Sequence, residues 1–67
     1  MRSVSGRDLA KAVERQGWTL LRVQGSHHIY GKSGITVRLS IPMHNRDLKI
    51  GLLMHLMKMA GLSETDL

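Results

Sequence analysis

Alternation of apolar and polar residues predicts three strands in the middle of the chain. At residues 35–41 the alternation is strict, which is typical of an antiparallel strand with one covered face and one face in water. The wet face carries Arg38. Residues 18–24 and 27–32 are rich in β-forming residues, and only Gly25-Ser26 separates them, which predicts a hairpin. Pro42 is expected to end the third strand.

A helix is predicted ahead of the strands, over residues 6–16. Ser5 with Asp8 three residues later is typical of a helix N-cap, and Leu9 and Val13 then recur at helical spacing. Gly17 is expected to stop this helix, because glycine accepts the left-handed conformation that closes a helix.

A second helix is predicted after the strands, over residues 49–60. Its expected apolar side consists of Leu52, Leu53, Leu56, Met57 and Ala60. Gly61 is expected to stop it, with Leu62 folding back on its last turn, and Ser63 with Asp66 suggests one further turn. Ile50, Met54 and Met59 exceed what one apolar stripe needs, so either a partner covers them or the small core recruits them.

The order helix, three strands, helix predicts an α+β fold in two layers. We expect a three-stranded antiparallel sheet with both helices packed on one face, forming a single domain over residues 1–67. Fold class by itself does not give function.

The charge balance favours a polyanionic partner. The 67 residues carry a formal net charge of +5, with a sequence pI near 10.5, which favours nucleic acid without establishing it. Cysteine is absent, which excludes disulfides and thiol chemistry. No apolar run is long enough to cross a bilayer, and no signal peptide is evident, so we expect a cytoplasmic protein without membrane contact.

Several kinds of catalytic site are disfavoured by the residue inventory. The five carboxylates are scattered, unlike those of a two-metal nuclease or a glycosidase. His27 and His28 are adjacent on a predicted strand and should point to opposite faces, so they do not suit one zinc ion. Gly25, Gly31 and Gly34 do not form a phosphate-binding loop. We therefore expect no metal and no small-molecule cofactor.

Histidine is the residue type best suited to acid–base chemistry in this chain. The four histidines are His27, His28, His44 and His55. An imidazole ordinarily titrates near pH 6.5, and general acid–base catalysis contributes about 10² to 10⁴ in rate. On composition alone, a histidine such as His27 is more often a partly buried, hydrogen-bonded strand residue than a catalytic one. Trp18 and Tyr30, the only aromatic residues, are expected in the core rather than stacked on bases.

The segment Gly25-Ser26-His27-His28-Ile29-Tyr30 resembles the HicA toxin family. Further matching segments are Gly17-Trp18, Pro42 with His44, Leu48-Lys49-Ile50-Gly51-Leu52 and Ala60-Gly61-Leu62. The resemblance implies a fold like the double-stranded-RNA-binding domain, metal-independent cleavage of mRNA, a catalytic role for His27, and inhibition by a cognate HicB-type antitoxin. His28 matches a variable neighbour of the catalytic histidine.

Basic side chains must hold the RNA backbone during such a reaction. The candidates are Arg22, Lys32 and Arg38 on the strands, followed by Lys49 and Lys58. Two other functions stay open at this point. A non-catalytic RNA-binding module would use the same fold and charge, and a pure interaction domain would need neither RNA nor catalysis.

Overall fold

The computed structural model describes residues 3–44 and 46–67, and its elements follow the predicted order. They are α1 (Gly6–Arg15), β1 (Thr19–Gln24), β2 (His27–Lys32), β3 (Ile35–Pro42), α2 (Ile50–Ala60) and a 3₁₀ turn (Glu64–Asp66). The strands form one antiparallel sheet in the order β1-β2-β3. The predicted α+β fold is therefore confirmed.

Both ends of α1 follow from local sequence. The hydroxyl of Ser5 accepts a hydrogen bond of 3.1 Å from the backbone N–H of Asp8, as expected of an N-cap. The helix ends at Arg15, one residue earlier than predicted. Gly17 has φ of 96°, so it adopts the left-handed conformation that turns the chain towards β1.

The predicted stop of α2 is also confirmed. Gly61 has φ of 73°, and the N–H of Leu62 donates to the carbonyl of Met57 at 2.9 Å. Leu62 then packs against the core, which is the expected contact of a Schellman-type ending. Beyond it, Ser63 and Asp66 cap the 3₁₀ turn through reciprocal hydrogen bonds.

Both helices cover the same face of the sheet, and the core lies between the two layers. Tyr30 of β2 pairs with Leu39 of β3, which places their side chains on one face, and both are buried. The core cluster also includes Leu9, Val13, Trp18, Ile41, Leu53, Leu56, Met57 and Ala60. Leu52 was wrongly assigned to this stripe. Leu52 is 39% exposed, because the buried positions of α2 follow helical spacing from Leu53 through Leu56 and Met57 to Ala60, and Leu52 lies beside that stripe.

The sheet extends beyond the helices at the turn between β2 and β3. Leu39 and Ile41 are fully buried, but Ile35 and Val37 on the same strand are 39% and 40% exposed. The prediction of one continuous covered face along β3 is therefore wrong for its first half. The helix-covered half is the one that ends at Pro42.

Helix α1 begins in direct contact with the end of β3. A side-chain carbon added to Gly6 would overlap the carbonyl oxygen of Pro42, so only glycine permits this approach. At the edge of the sheet opposite β3, all the residues of β1 are exposed. No helix in residues 3–44 and 46–67 is long and apolar enough to cross a membrane.

Candidate nucleic-acid interface

His27 lies on the open face of the sheet, opposite the helices. It is the first residue of β2, it follows the Gly25-Ser26 turn, and its side chain is exposed. The N–H of Met43 donates to the carbonyl of Ser26 at 2.6 Å, so the chain leaving β3 is tied to the residue before His27. No hydrogen bond from the described residues orients the imidazole.

The strand register brings Arg22 and Ser40 next to His27. His27 pairs with Gln24 and Pro42, and Ile29, two residues on, pairs with Arg22 and Ser40. Directly paired residues share a face, and diagonal neighbours are about 7–8 Å apart, which long side chains span. His27 therefore has a cation on one side and a hydroxyl on the other, and both side chains are exposed.

Arg38 extends this face away from His27. It lies two residues before Ser40 on β3, so its side chain points to the same face, as the alternation predicted. One guanidinium nitrogen, Nη1, donates to the carbonyls of Ile35 and Thr36 at 3.2 and 3.4 Å. These bonds hold the guanidinium close to the sheet.

The three lysines predicted to bind RNA lie outside this face. Lys32 ends β2, and its ammonium nitrogen extends towards Gly17 at the end of α1. Lys49 is the N-cap of α2 and Lys58 lies in its last turn, so both belong to the helical layer. Lys49 also follows the loop that leaves the sheet beside His27.

That loop carries further polar residues. His44, Arg46 and Asp47 are exposed and line a cavity of about 280 Å³ together with Lys49. Sequence reasoning proposed neither Arg46 nor Ser40 as a site residue. The period of two along β3 identifies Ser40, since Arg38 was already expected on the wet face. His55 is exposed on α2.

His28, next to His27, lies on the opposite face. Its ring is 6.4 Å from that of Tyr30, and its Nδ1 is buried without a hydrogen-bond partner among the described residues. The hydroxyl of Tyr30 donates to Glu14 at 2.7 Å, and burial together with this carboxylate raises the pKa of Tyr30. His28 therefore lies beside Tyr30, on the face opposite His27 as predicted, and the expectation that Tyr30 and Trp18 belong to the core is confirmed.

The described residues include no cluster of three or more histidine, aspartate or glutamate side chains arranged to hold a metal ion. His27 and His28 lie on opposite faces of the sheet, and His55 lies on α2. Around His27 the open face offers an exposed imidazole, the hydroxyl of Ser40 and the guanidinium of Arg22, with that of Arg38 farther along β3.

Comparison with known proteins identifies the family. The model of the HicA toxin of bacterial toxin-antitoxin systems matches residues 6–62, from the first residue of α1 to just beyond the end of α2. No curated protein matches the chain significantly. Since the match spans most of the chain and both layers of the fold, the chain belongs to the HicA family of toxins from bacterial toxin-antitoxin systems.

Proposed function

We propose that this HicA-family protein is a metal-independent endoribonuclease that cleaves mRNA, with His27 as its catalytic residue. The observation that carries the proposal is the position of His27. It is an exposed imidazole on the open face, with Arg22 and Ser40 as its diagonal neighbours in the sheet. The family match supports a toxin whose target is RNA.

RNA brings its own nucleophile, so one imidazole suffices to start the reaction. His27 takes the proton of a ribose 2′-hydroxyl, the 2′-oxygen bonds to the adjacent phosphorus, and the bond from phosphorus to the 5′-oxygen breaks. A proton returned to that oxygen completes the step, leaving a 2′,3′-cyclic phosphate and a 5′-hydroxyl end. Such acid–base help is worth about 10² to 10⁴ in rate, which suits a slow toxin.

The cations divide into two groups by their position. Arg22 and Arg38 share the face of His27. We assign Arg22, the nearer of the two, to the phosphate next to the reacting one and to the charge that develops there, and Arg38 to the RNA farther along the face. Lys32, Lys49 and Lys58 lie at the margins or in the helical layer. They meet RNA only where the strand runs past the edge of the sheet, and they add affinity that falls with salt.

The proposal is tested with purified protein, the His27→Ala variant and a labelled RNA, all in excess EDTA. We expect the wild-type protein to produce new ends carrying a 2′,3′-cyclic phosphate, and the variant to produce almost none. An RNA with 2′-O-methyl groups throughout should resist both proteins, because it lacks the nucleophile. Equal cleavage by the two proteins would rule out the role of His27.

A non-catalytic RNA-binding module is the second candidate function. It is favoured by one observation: within residues 3–44 and 46–67, no group hydrogen-bonds to the His27 ring to fix its tautomer or direction. This function predicts salt-sensitive binding of RNA without new ends, so the same experiment separates the two.

A HicB-type antitoxin is the proposed protein partner, acting in the cytoplasm where mRNA is translated. An antitoxin that covers His27 and Arg22 would block substrate access and catalysis together. Ile50 and Met54, each 56% exposed on α2, add apolar surface in the other layer. Unchanged RNA cleavage at saturating antitoxin would exclude the steric form of this inhibition.

A further inference from the structure

A second cleft lies on the open face of the sheet, at the opposite end of β2 from His27. Its volume is about 260 Å³, and its lining residues are Thr19, Leu21, Gly31, Lys32, Ser33 and Arg38. We propose that this cleft binds one unpaired nucleobase of the RNA substrate, stacked against the guanidinium of Arg38 and the side chain of Leu21. The inference deepens the proposed function and rests on it.

Gly31 lines this cleft and is itself buried beneath two of the other lining residues. A side-chain carbon at Gly31 would lie 2.7 Å from Cδ1 of Leu21 and 3.3 Å from Cδ and Nε of Arg38. The two side chains therefore approach each other over a position where the backbone carries no side chain. A longer residue at position 31 would separate them and fill the space between.

The Arg38 guanidinium is held in place before any ligand arrives. Its Nη1 donates to the carbonyls of Ile35 and Thr36, which leaves Nη2 uncommitted by either bond. A planar cation fixed in this way loses little conformational freedom on binding. Guanidinium planes are common stacking partners for unpaired RNA bases.

The apolar side chain of Leu21 indicates that the cleft binds a base rather than a phosphate group. The register of β1 and β2 shifts between Leu20 and Arg22, so Leu21 has no paired residue, and its side chain is 50% exposed. An anion would gain nothing from an apolar group here, whereas the flat face of a base would cover it. Thr19 and Ser33 also line the cleft and bring hydroxyl groups that suit the polar edge of a base.

The spacing along β2 fits a single RNA strand that crosses both sites. Gly31 is four residues from His27, which corresponds to roughly 13 Å at about 3.3 Å per residue. A stacked strand rises about 3.4 Å per nucleotide, so the cleft receives a base about four nucleotides or fewer from the scissile bond. The cleft would thereby influence where the RNA is cut.

Binding of short 2′-O-methyl RNA, which resists cleavage, tests the inference directly. A set of oligonucleotides carries one abasic position each, moved stepwise along the strand. Wild-type protein should lose about fivefold to 100-fold in affinity at one position, the range expected for one stacked base. The Arg38→Lys and Leu21→Ala variants should bind the intact RNA more weakly and show little further loss at that position.

Arg7→Lys, on the exposed side of α1, is the matched control for Arg38→Lys and should bind like the wild-type protein. Gly31→Ala keeps both side chains but places a methyl group against them, so that Leu21 and Arg38 must shift, and it should also reduce the effect of the abasic position. Thermal unfolding of each variant checks that the fold is intact.

Three results would overturn the inference. The first is that no abasic position lowers the affinity of the wild-type protein, and the second is that an abasic position lowers the affinity of Arg38→Lys as much as that of the wild-type protein. The third is that Arg38→Lys binds all the RNAs more weakly by the same factor, which would make Arg38 a phosphate contact only. Cleavage of unmodified RNA is measured in parallel. If cleavage depends on His27 but no abasic position lowers the affinity, only the proposed base-binding cleft is wrong. If one abasic position lowers the affinity but cleavage does not depend on His27, only the catalytic proposal is wrong.

Discussion

The two faces of the sheet come from the same three strands, yet they have different roles. On the helix-covered face, Tyr30, Leu39 and Ile41 are buried in the core. On the open face, Arg22, His27 and Ser40 remain in water. Most of the buried side chains therefore come from one set of alternate positions, and the polar groups available for chemistry come from the other, where Ile29 is also buried.

The adjacent histidines show this division within two residues. His27 is exposed on the open face, whereas His28 packs beside Tyr30 under the helices. Their sequence neighbourhood is nearly the same, so residue type does not separate their roles. Only the period of two along the strand does.

The largest effect is expected from exchanging these two histidines separately for alanine. His27→Ala should lower the rate of RNA cleavage by about 10² to 10⁴ with almost no change in Tm. His28→Ala should lower Tm but leave the cleavage rate of the folded protein nearly unchanged. Rate measurements in EDTA with thermal unfolding of both variants check this, and similar rate losses in the two would contradict the division of faces.

Two positions on β3 compare the covered and uncovered parts of the same strand. Leu39→Ala should lower the free energy of unfolding by about 2–5 kcal/mol, because it leaves a cavity in the core. Val37→Ala, two residues earlier and 40% exposed, should change it by about 0.5 kcal/mol or less. Urea denaturation measures both, and equal losses would mean that the helices also cover Val37.

Tyr30 gives the covered face a dependence on alkaline pH. Burial and Glu14 raise the pKa of Tyr30 above its ordinary value of 10.0, so the folded protein keeps this proton at a pH where the unfolded chain loses it. The stabilisation is complete below about pH 10 and declines as the pH rises further. In urea denaturation from pH 8 upward, the contribution of Tyr30 to the free energy of unfolding should therefore stay constant to about pH 10 and fall above it.

The matched control is Tyr30→Phe, which removes the hydroxyl and its bond to Glu14. We expect it to cost about 1.5 kcal/mol at neutral pH and to show a weaker decline at high pH. The two proteins differ only in this hydroxyl, so the difference between the two curves isolates Tyr30. Parallel curves would show that this hydroxyl is not protected by the fold.

The smallest effect is expected from single cations. Arg22→Gln should weaken RNA binding modestly and reduce the slope of log affinity against log salt by about 1, because one phosphate contact is lost. Arg7→Gln, on the exposed side of α1, should leave that slope unchanged. Equal slopes for the two variants would remove Arg22 from the interface.

Most of the fold was predictable because its signals are local. Ser5 with Asp8, Gly17 and Gly61 mark helix ends through hydrogen bonds and backbone conformations within a few residues. The alternation along β3 likewise placed Arg38 on the wet face. Such features depend on neighbours in the sequence, so one chain suffices to identify them.

The remainder depended on tertiary packing, which local patterns do not specify. Val37 and Leu39 are both apolar residues at alternating positions of β3, and only the placement of the helices leaves Val37 exposed and Leu39 buried. Leu52 likewise was assigned to the wrong side of α2. In the site, His27 came from a resemblance to a family, whereas the register that adds Arg22 and Ser40 required the sheet itself.

The edge position of β1 has a consequence for solubility. Its outer backbone groups have no partner strand within residues 3–44 and 46–67, and Leu20, Leu21 and Val23 are 40–55% exposed. An apolar edge of this kind is a template for fibril growth, and a charge in its middle opposes that growth. Arg22 is that charge, so the residue assigned to RNA also acts as a gatekeeper against self-association, and its neutral variants should aggregate more readily on storage.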